Sequence, residues 1–307
     1  RVVTPVAFKP IWSISKVKDF TVGEVTGDSN LDLVVLDNAG LKIYENRVDS
    51  FRLLEFIPLH RVWEYRRCEL IDYNNDGKVD IMLTGKTRLF ENNNYKFNDV
   101  TEQVGLQDVH TGEVIVFDYN MDGLPDILTT GAENPVFINT GKKFECIKEN
   151  VTLPQISDRY KLYMEDINND GYTDIVVAGG KPKLFINNCD GTFIDMAQEY
   201  GLQTIIPSLE YVDLVDIDNN GEVDIIGDGK IFLQVEGQFQ FYAELGEPAP
   251  TWHADFDNDG DQDILLGEEL ILNEEEFLHL KEYSGLKKII KTIQADFDSD
   301  GMSDVIG

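Results

Sequence analysis

Nine-residue segments in which acidic or amide side chains recur at alternate positions punctuate this chain. Asp72, Asn74, Asp76 and Asp80 form one such segment, with Gly77 at its sixth position. The frame returns as Asp118, Asn120, Asp122 and Asp126, as Asp166, Asn168, Asp170 and Asp174, and as Asp216, Asp218, Asn220 and Asp224. It returns again as Asp255, Asp257, Asp259 and Asp263, and as Asp296, Asp298, Asp300 and Asp304, with Gly at position six each time. A weaker copy precedes them all: Glu24, Thr26, Asp28 and Asp32, with Ser29 in place of the Gly.

Alternating oxygens in a tight loop aim at one centre, and an all-oxygen donor set selects a hard cation such as calcium. Three or four carboxylates held this close repel one another, and a divalent ion removes that penalty. Side-chain ligands are expected from positions one, three, five and nine. Position seven is expected to supply a backbone carbonyl, from Lys78, Leu124, Tyr172, Glu222, Asp261 and Met302. An EF-hand loop opens the same way but closes on Glu at position twelve between helices. This chain has Leu83 and Val177 at that position. Magnesium fits less well, because its small octahedral shell tolerates an all-protein cage poorly. Polar turns without metal are the competing reading, and the density of carboxylates weighs against it. The intact loops predict six structural calcium ions. In the first copy Glu24 is longer, Thr26 is a weaker ligand and Ser29 must bend where Gly does elsewhere. That loop either keeps its hairpin without an ion or holds one with a poorer set.

The elements that position these loops follow from their spacing. Successive copies begin at 24, 72, 118, 166, 216, 255 and 296, separations of 48, 46, 48, 50, 39 and 41 residues. A period of about 45 residues is that of a propeller blade. Short, mostly apolar runs precede the loops (Cys68–Ile71, Val114–Phe117, Leu162–Met164) and follow them (Ile81–Leu83, Ile127-Leu128, Ile175–Val177, Ile264–Leu266). Their β-branched and aromatic content predicts strands, so each loop is the turn of a hairpin. A third strand ends in Asn in Lys42–Asn46, Arg88–Asn92, Pro135–Asn139 and Lys183–Asn187, and Lys230–Phe232 and Leu270–Asn273 continue the series. A fourth segment starts at an aromatic and reaches Gly-Leu, from Phe97 to Leu106, Phe193 to Leu202 and Phe277 to Leu286. Four strands per period predict an all-β, seven-bladed propeller of four-stranded antiparallel blades. It is a single domain over 1–307, with loops at 24–32, 72–80, 118–126, 166–174, 216–224, 255–263 and 296–304. The recurring aromatics are read as packing between blades. Residues near Val2 to Ile14 are expected to add an outer strand and close the ring, because closure removes free sheet edges.

Composition narrows the function. A net charge of −31, from 26 basic and 57 acidic residues, argues against a nucleic-acid partner, which needs a basic surface. Six divalent ions would bring that charge to −19, still acidic. No apolar run reaches the length of a membrane span. Cys68, Cys146 and Cys189 are too few for a disulfide scaffold. Asn150-Val151-Thr152 is a lone glycosylation sequon and weak support for secretion. His60, His110, His253 and His279 fall at unrelated phases of the repeat, with no zinc spacing, nucleophile elbow or phosphate loop around them. No catalytic residue is therefore expected, and His253, just before the sixth loop, reads as a satisfied strand histidine.

The loops with their flanking strands resemble FG-GAP/VCBS repeats, the units of integrin-α-like propellers, over nearly the whole chain. Phe97–Leu106 and Asn188–Phe193 are similar to the repeats of cartilage-acidic-protein-like members. The resemblance implies calcium at the loop positions named above, an extracellular, cell-surface or periplasmic setting, and adhesion, scaffolding or ligand binding. The leading expectation is a non-catalytic, calcium-stabilised module whose partner is a protein or a glycan. The alternative is a carbohydrate-binding lectin or a polysaccharide-acting enzyme with its site on the loops opposite the metal face. An enzyme is expected to interrupt the repeat with a polar insertion, whereas the short periods of 39 and 41 are deletions.

Overall fold

The short β-branched and aromatic runs form strands throughout. The computed structural model describes residues 16–47, 50–130, 136–147, 156–157, 159–256, 259–267, 269–274, 277–281, 293–295 and 304–306. The chain falls into two compact units, Trp12–Arg159 and one that includes Tyr160–Gly307. Strands of the first unit make three antiparallel meanders, each called a blade below. They are β1 (Val17–Gly23), β2 (Asp32–Asp37), β3 (Gly40–Asn46) and β4 (Phe51–Pro58); β5 (Tyr65–Ile71), β6 (Asp80–Gly85), β7 (Arg88–Asn92) and β8 (Phe97–Asp99); and β9 (Val114–Phe117), β10 (Asp126–Thr129), β11 (Val136–Asn139) and β12 (Phe144–Ile147). The other unit repeats the pattern with β13 (Lys161–Glu165), β14 (Asp174–Ala178), β15 (Lys183–Asn187) and β16 (Phe193–Asp195); β17 (Val212–Val215), β18 (Asp224–Gly227), β19 (Lys230–Val235) and β20 (Gln238–Glu244); and β21 (Thr251–Ala254), β22 (Asp263–Leu266), β23 (Glu269–Glu274) and β24 (Phe277–Lys281). A two-stranded pair follows, β25 (Ile293–Ala295) with β26 (Asp304–Ile306).

Against the expected seven blades, the described residues therefore show six four-stranded sheets and one pair. Val2–Ile14, expected to complete the seventh, lie outside the described residues, as do the sequon Asn150–Thr152 and Pro135. The register places the acidic segments as the sequence predicts. The residue before each loop pairs with the Asp that closes it: Gly23 with Asp32, Ile71 with Asp80, Phe117 with Asp126, Glu165 with Asp174, Val215 with Asp224, Ala254 with Asp263 and Ala295 with Asp304. Each of the first six loops is thus the turn of its blade's first hairpin, and the pairing of Ala295 with Asp304 brackets the seventh acidic segment.

The second strand of each blade is buried along its whole length. That is why β2, β6 and β14 read as continuous apolar runs rather than alternating ones: both faces of the sheet are covered. Val34 and Ile43 of the first blade pack with Ile81, Phe90 and Phe97 of the second. Met82 and Leu89 of the second pack with Ile127, Phe137 and Phe144 of the third. In the other unit Val176 and Leu184 meet Ile225, Phe232 and Phe239, and Ile226 and Ile231 meet Ile264 and Ile271. Phe90, Phe97, Phe137, Phe144, Phe232 and Phe239 are inter-blade packing, as the repeat implied. The fourth segments are strand over only three residues in β8 and β16, after which the chain turns and buries Leu106 and Leu202 of the Gly-Leu pairs. Outer strands β4 and β20 expose Leu53, Phe56, Phe241 and Tyr242. Among the described residues none of the three cysteines forms a disulfide, and no helix is long and apolar enough to cross a membrane.

Phe97 starts an outer strand yet is buried against the preceding blade. Phe97→Ala is expected to cost about 3–5 kcal/mol of unfolding free energy, read from the urea midpoint of the whole chain. A loss under about 1 kcal/mol would contradict the inter-blade packing.

Candidate metal centre

Each loop is shaped first by its own side chains. Asp72 accepts the Asp76 N–H at 3.1 Å through Oδ1 and the Gly77 N–H at 2.9 Å through Oδ2. Asp118, Asp166, Asp216 and Asp255 repeat both bonds within 2.8–3.0 Å. Position three adds a second acceptor for the same N–H, from Asn74 (3.1 Å), Asn120 (3.1 Å), Asn168 (3.0 Å) and Asp218 (3.2 Å). Position five then accepts the N–H of position seven, in Asp76–Lys78, Asp122–Leu124, Asp170–Tyr172, Asn220–Glu222 and Asp259–Asp261. These are Asx-type turns in which a short polar side chain captures backbone two to five residues ahead. The spacing that suggested metal ligands therefore also sets the loop's shape.

The closing Asp is different, because it is buried. Asp32, Asp80, Asp126, Asp174, Asp224 and Asp263 are each 0% exposed. Oδ2 accepts the N–H of position two and Oδ1 an N–H at the end of the third strand. For Asp80 these donors are Tyr73 at 3.2 Å and Asn92 at 2.7 Å; for Asp126, Tyr119 at 2.9 Å and Asn139 at 2.6 Å. For Asp174 they are Ile167 at 3.0 Å and Asn187 at 2.8 Å; for Asp224, Ile217 at 3.0 Å and Gln234 at 2.7 Å; for Asp263, Phe256 and Asn273, both at 2.8 Å. Two N–H donors do not offset the desolvation. Burial, with the charges of Asp76 and Asp72, pushes Asp80 up to about 7. Burial likewise lifts Asp224 to about 7 and Asp174 to about 6, and raises Asp126 and Asp32. A buried carboxylate held this way calls for positive charge.

The outer carboxylates already attract it. Asp76 Oδ2 meets the Lys78 ammonium at 3.1 Å, and the amides of Asn120 and Asn168 donate to Asp122 at 3.0 Å and Asp170 at 2.9 Å. In two loops three carboxylate oxygens lie within 4.8 Å of one another: Asp216, Asp218 and Asp224, and Glu24, Asp28 and Asp32. The second group belongs to the degenerate first copy. Its longer Glu24 takes the Gly27 N–H and, at 3.1 Å, the Asp28 N–H, while Asp32 takes those of Val25 and Thr26, each at 3.0 Å. Intact loops place positive φ at positions four and six, as at Asn75 (55°) and Gly77 (80°). The first copy does the same with Gly27 (70°) and Ser29 (73°), so its glycine has moved to position four. The buried Thr26 hydroxyl makes no hydrogen bond of good geometry, yet lies close enough to Asp28 and Asp32 to favour their charged forms. An all-oxygen donor set that closes on a buried carboxylate fits a hard divalent cation. Positions one, three, five and nine would hold it, and it would supply charge neutralisation and a cross-link of the hairpin.

Asp257, Asp296, Asp298, Asp300 and Met302 lie outside the described residues, and of Asp304 only its place in β26 is described. His253 Nδ1 faces Asp213 Oδ2 at 2.8 Å. Burial disfavours a charged imidazole there, but Asp213, with Glu165 beyond it, outweighs burial and raises the pKa. The histidine is satisfied by a side chain of the neighbouring blade. His60 and His110 are exposed, and nothing is described of the His279 side chain. The residue whose part the sequence left unread is the amide that ends the third strand, since its N–H bond to the closing Asp has no local signature.

Meander sheets stacked face to face, with an acidic turn on the first hairpin of each, define a repeat protein of propeller-like fold. Residues 25–83, 72–129 and 166–227 match the FG-GAP-like repeat and together make up more than half of the chain, which belongs to that family. No curated protein sequence matches the chain. Among solved structures it is similar to an Agrocybe aegerita lectin that recognises non-reducing terminal N-acetylglucosamine, at 18% identity, covering 87% of this chain and 79% of that one, with a TM-score of 0.61. It is similar to BBS1N, solved in complex with ARL6DN, at 14% identity over 95% of this chain and 90% of that one, TM-score 0.58. Saccharomyces cerevisiae Sqt1 matches at 9% identity over 94% and 84%, TM-score 0.53. At these identities the likeness is one of fold.

The raised closing carboxylates set a pH dependence. Between about pH 4 and pH 7 the ion-free folded chain binds more protons than the unfolded chain, so stability falls as pH rises through that window. In chelator the melting temperature is expected to be higher at about pH 5.5 than at about pH 7.5, and calcium is expected to recover the difference at the higher pH. The opposite slope in chelator would show that these carboxylates are not desolvated in the folded chain.

Proposed function

We propose that this chain is a calcium-stabilised FG-GAP propeller of seven blades, its ring closed by residues near Val2–Ile14. It acts as a non-catalytic adhesion, scaffolding or ligand-binding module in an extracellular, cell-surface or periplasmic setting. The observation that carries the reading is the repeated cradle: in the five intact loops that are described the same backbone-capped turn ends on a buried carboxylate, and its outer oxygens remain at the surface. Calcium is structural in this reading, with one ion for each of the six intact loops. The first loop is a seventh candidate on the strength of its converging carboxylates. The similarity of Phe97–Leu106 to cartilage-acidic-protein-like repeats fits such a setting.

Recognition then belongs to the other ends of the strands. The connection from β4 to β5 lies at the end of β5 remote from its loop, in a single 3-10 turn, Val62–Glu64. Lys18 ties this turn down by donating to the Val62 carbonyl at 2.8 Å, and Val62 is buried. Trp63 nevertheless stands 76% exposed, two residues from Arg61. An exposed Trp on a turn that is tied down suits a protein or glycan ligand.

Metal analysis of the purified chain is expected to find about six calcium ions, and EDTA to lower its melting temperature. No bound calcium together with no effect of EDTA would overturn the reading. Glycan arrays and cell-surface pull-downs with the wild type and Trp63→Ala identify the partner class. The variant is expected to lose capture about tenfold or more while keeping its calcium-dependent melting temperature. Turnover of a polysaccharide would instead favour the enzyme alternative.

A further inference from the structure

In four of the blades the amide at or next to the end of the third strand has a partner outside its own blade. Asn92 Nδ2 donates to the Val25 carbonyl at 2.9 Å as well as to Val79 at 3.1 Å. Val79 lies in the loop of its own blade, whereas Val25 is position two of the loop in the preceding one. Asn139 Nδ2 does the same, to Tyr73 of the preceding loop at 2.6 Å and Pro125 of its own at 3.1 Å. In the other unit Gln234 Nε2 reaches Ile167 at 3.0 Å, and Asn273 Nδ2 reaches Ile217 at 2.9 Å. All four acceptors are position two of the loop one blade back.

Position two is also the residue whose N–H the closing Asp holds, and the amide residue's own N–H goes to the closing Asp of its own blade. The bonds therefore join end to end. Asp32 holds the Val25 N–H, the Val25 carbonyl takes Asn92, and Asn92 N–H reaches Asp80. Asp80 holds Tyr73, Tyr73 takes Asn139, and Asn139 reaches Asp126. In the second unit the path runs from Asp174 through Ile167 and Gln234 to Asp224, and on through Ile217 and Asn273 to Asp263. Each closing carboxylate is a candidate ion ligand, so each path links three candidate loops.

We propose that Asn92, Asn139, Gln234 and Asn273 couple neighbouring cation loops, so that an ion in one loop raises the affinity of the next within each unit. This rests on the calcium reading above. An ion that fixes a closing carboxylate also fixes the N–H it holds. The carbonyl of that residue then orders the neighbour's amide and, through the amide residue's N–H, the next closing carboxylate. Bonds in such a chain polarise one another, and a loop already ordered costs less to occupy. The four amides are positioning residues for a loop that is not their own.

The test is a calcium titration of the full chain by calorimetry, with melting temperatures taken in calcium and in chelator. Wild type is compared with Asn139→Leu and with Gln234→Met. The second is a mild variant of nearly equal length, because the buried Gln234 Oε1 has no partner to lose. Wild type is expected to bind with a slope above one. Each variant cuts one of the two links in its unit, so it is expected to keep the number of ions, lower the slope and need more calcium, up to about fivefold, to fill the loop it uncouples. The calcium-induced rise in melting temperature should shrink as well. A wild-type slope of one overturns the coupling and leaves the calcium reading intact. So does a variant whose melting temperature falls equally with and without calcium at unchanged slope, which would mark a merely structural amide. A wild type that binds no calcium overturns both.

Discussion

A carboxylate with no exposed surface closes every described loop, and the local architecture is arranged around keeping it there. Asp80 is taken out of water at the start of the fully buried strand β6, and its two oxygens are spent on two backbone N–H groups from different parts of the blade. One bond fixes the loop's entry and the other fixes the end of the third strand, so a single side chain ties three strands of one sheet. The position is costly when ionised, as its pKa near 7 shows. The outer oxygens of the same loop are where positive charge can offset that cost. A hard cation supplies the offset and locks the hairpin in the same step.

Around that constraint the blades are held by ordinary packing. The second strands are apolar on both faces because each lies between two others of its sheet and under neighbouring sheets. A blade alone could not bury such a strand, which is why the unit recurs rather than standing by itself. The fourth strands, with one face outward, carry the exposed aromatics and charges. Apolar contact and the amide bonds both run from one blade to the next, so the loops and the core report on the same interface.

Most of the loop was legible in the sequence because its bonds are local. Asp72 captures N–H groups four and five residues ahead and Asn74 captures one two ahead, so the spacing of the side chains nearly dictates the turn. The hairpins and the inter-blade aromatics followed from the same repeat. The first copy, with Ser for Gly at position six, keeps its hairpin, as its residues allowed. In the structure Gly27 has taken over one of the two positive-φ sites, and Ser29 tolerates the other.

The sequence by itself determined the repeat, the strand pattern and the positions of the candidate ligands, since all of these depend on residues within a few positions of each other. Tertiary structure alone decided what the terminal amides do. Asn92 and Asn139 meet their carbonyl partners across 67 and 66 residues, and Gln234 does the same work as the asparagines across 67. Only the packing of one blade on the next brings such groups within 3.0 Å, and a side chain's partner at that separation is set by sheet geometry rather than by any local pattern.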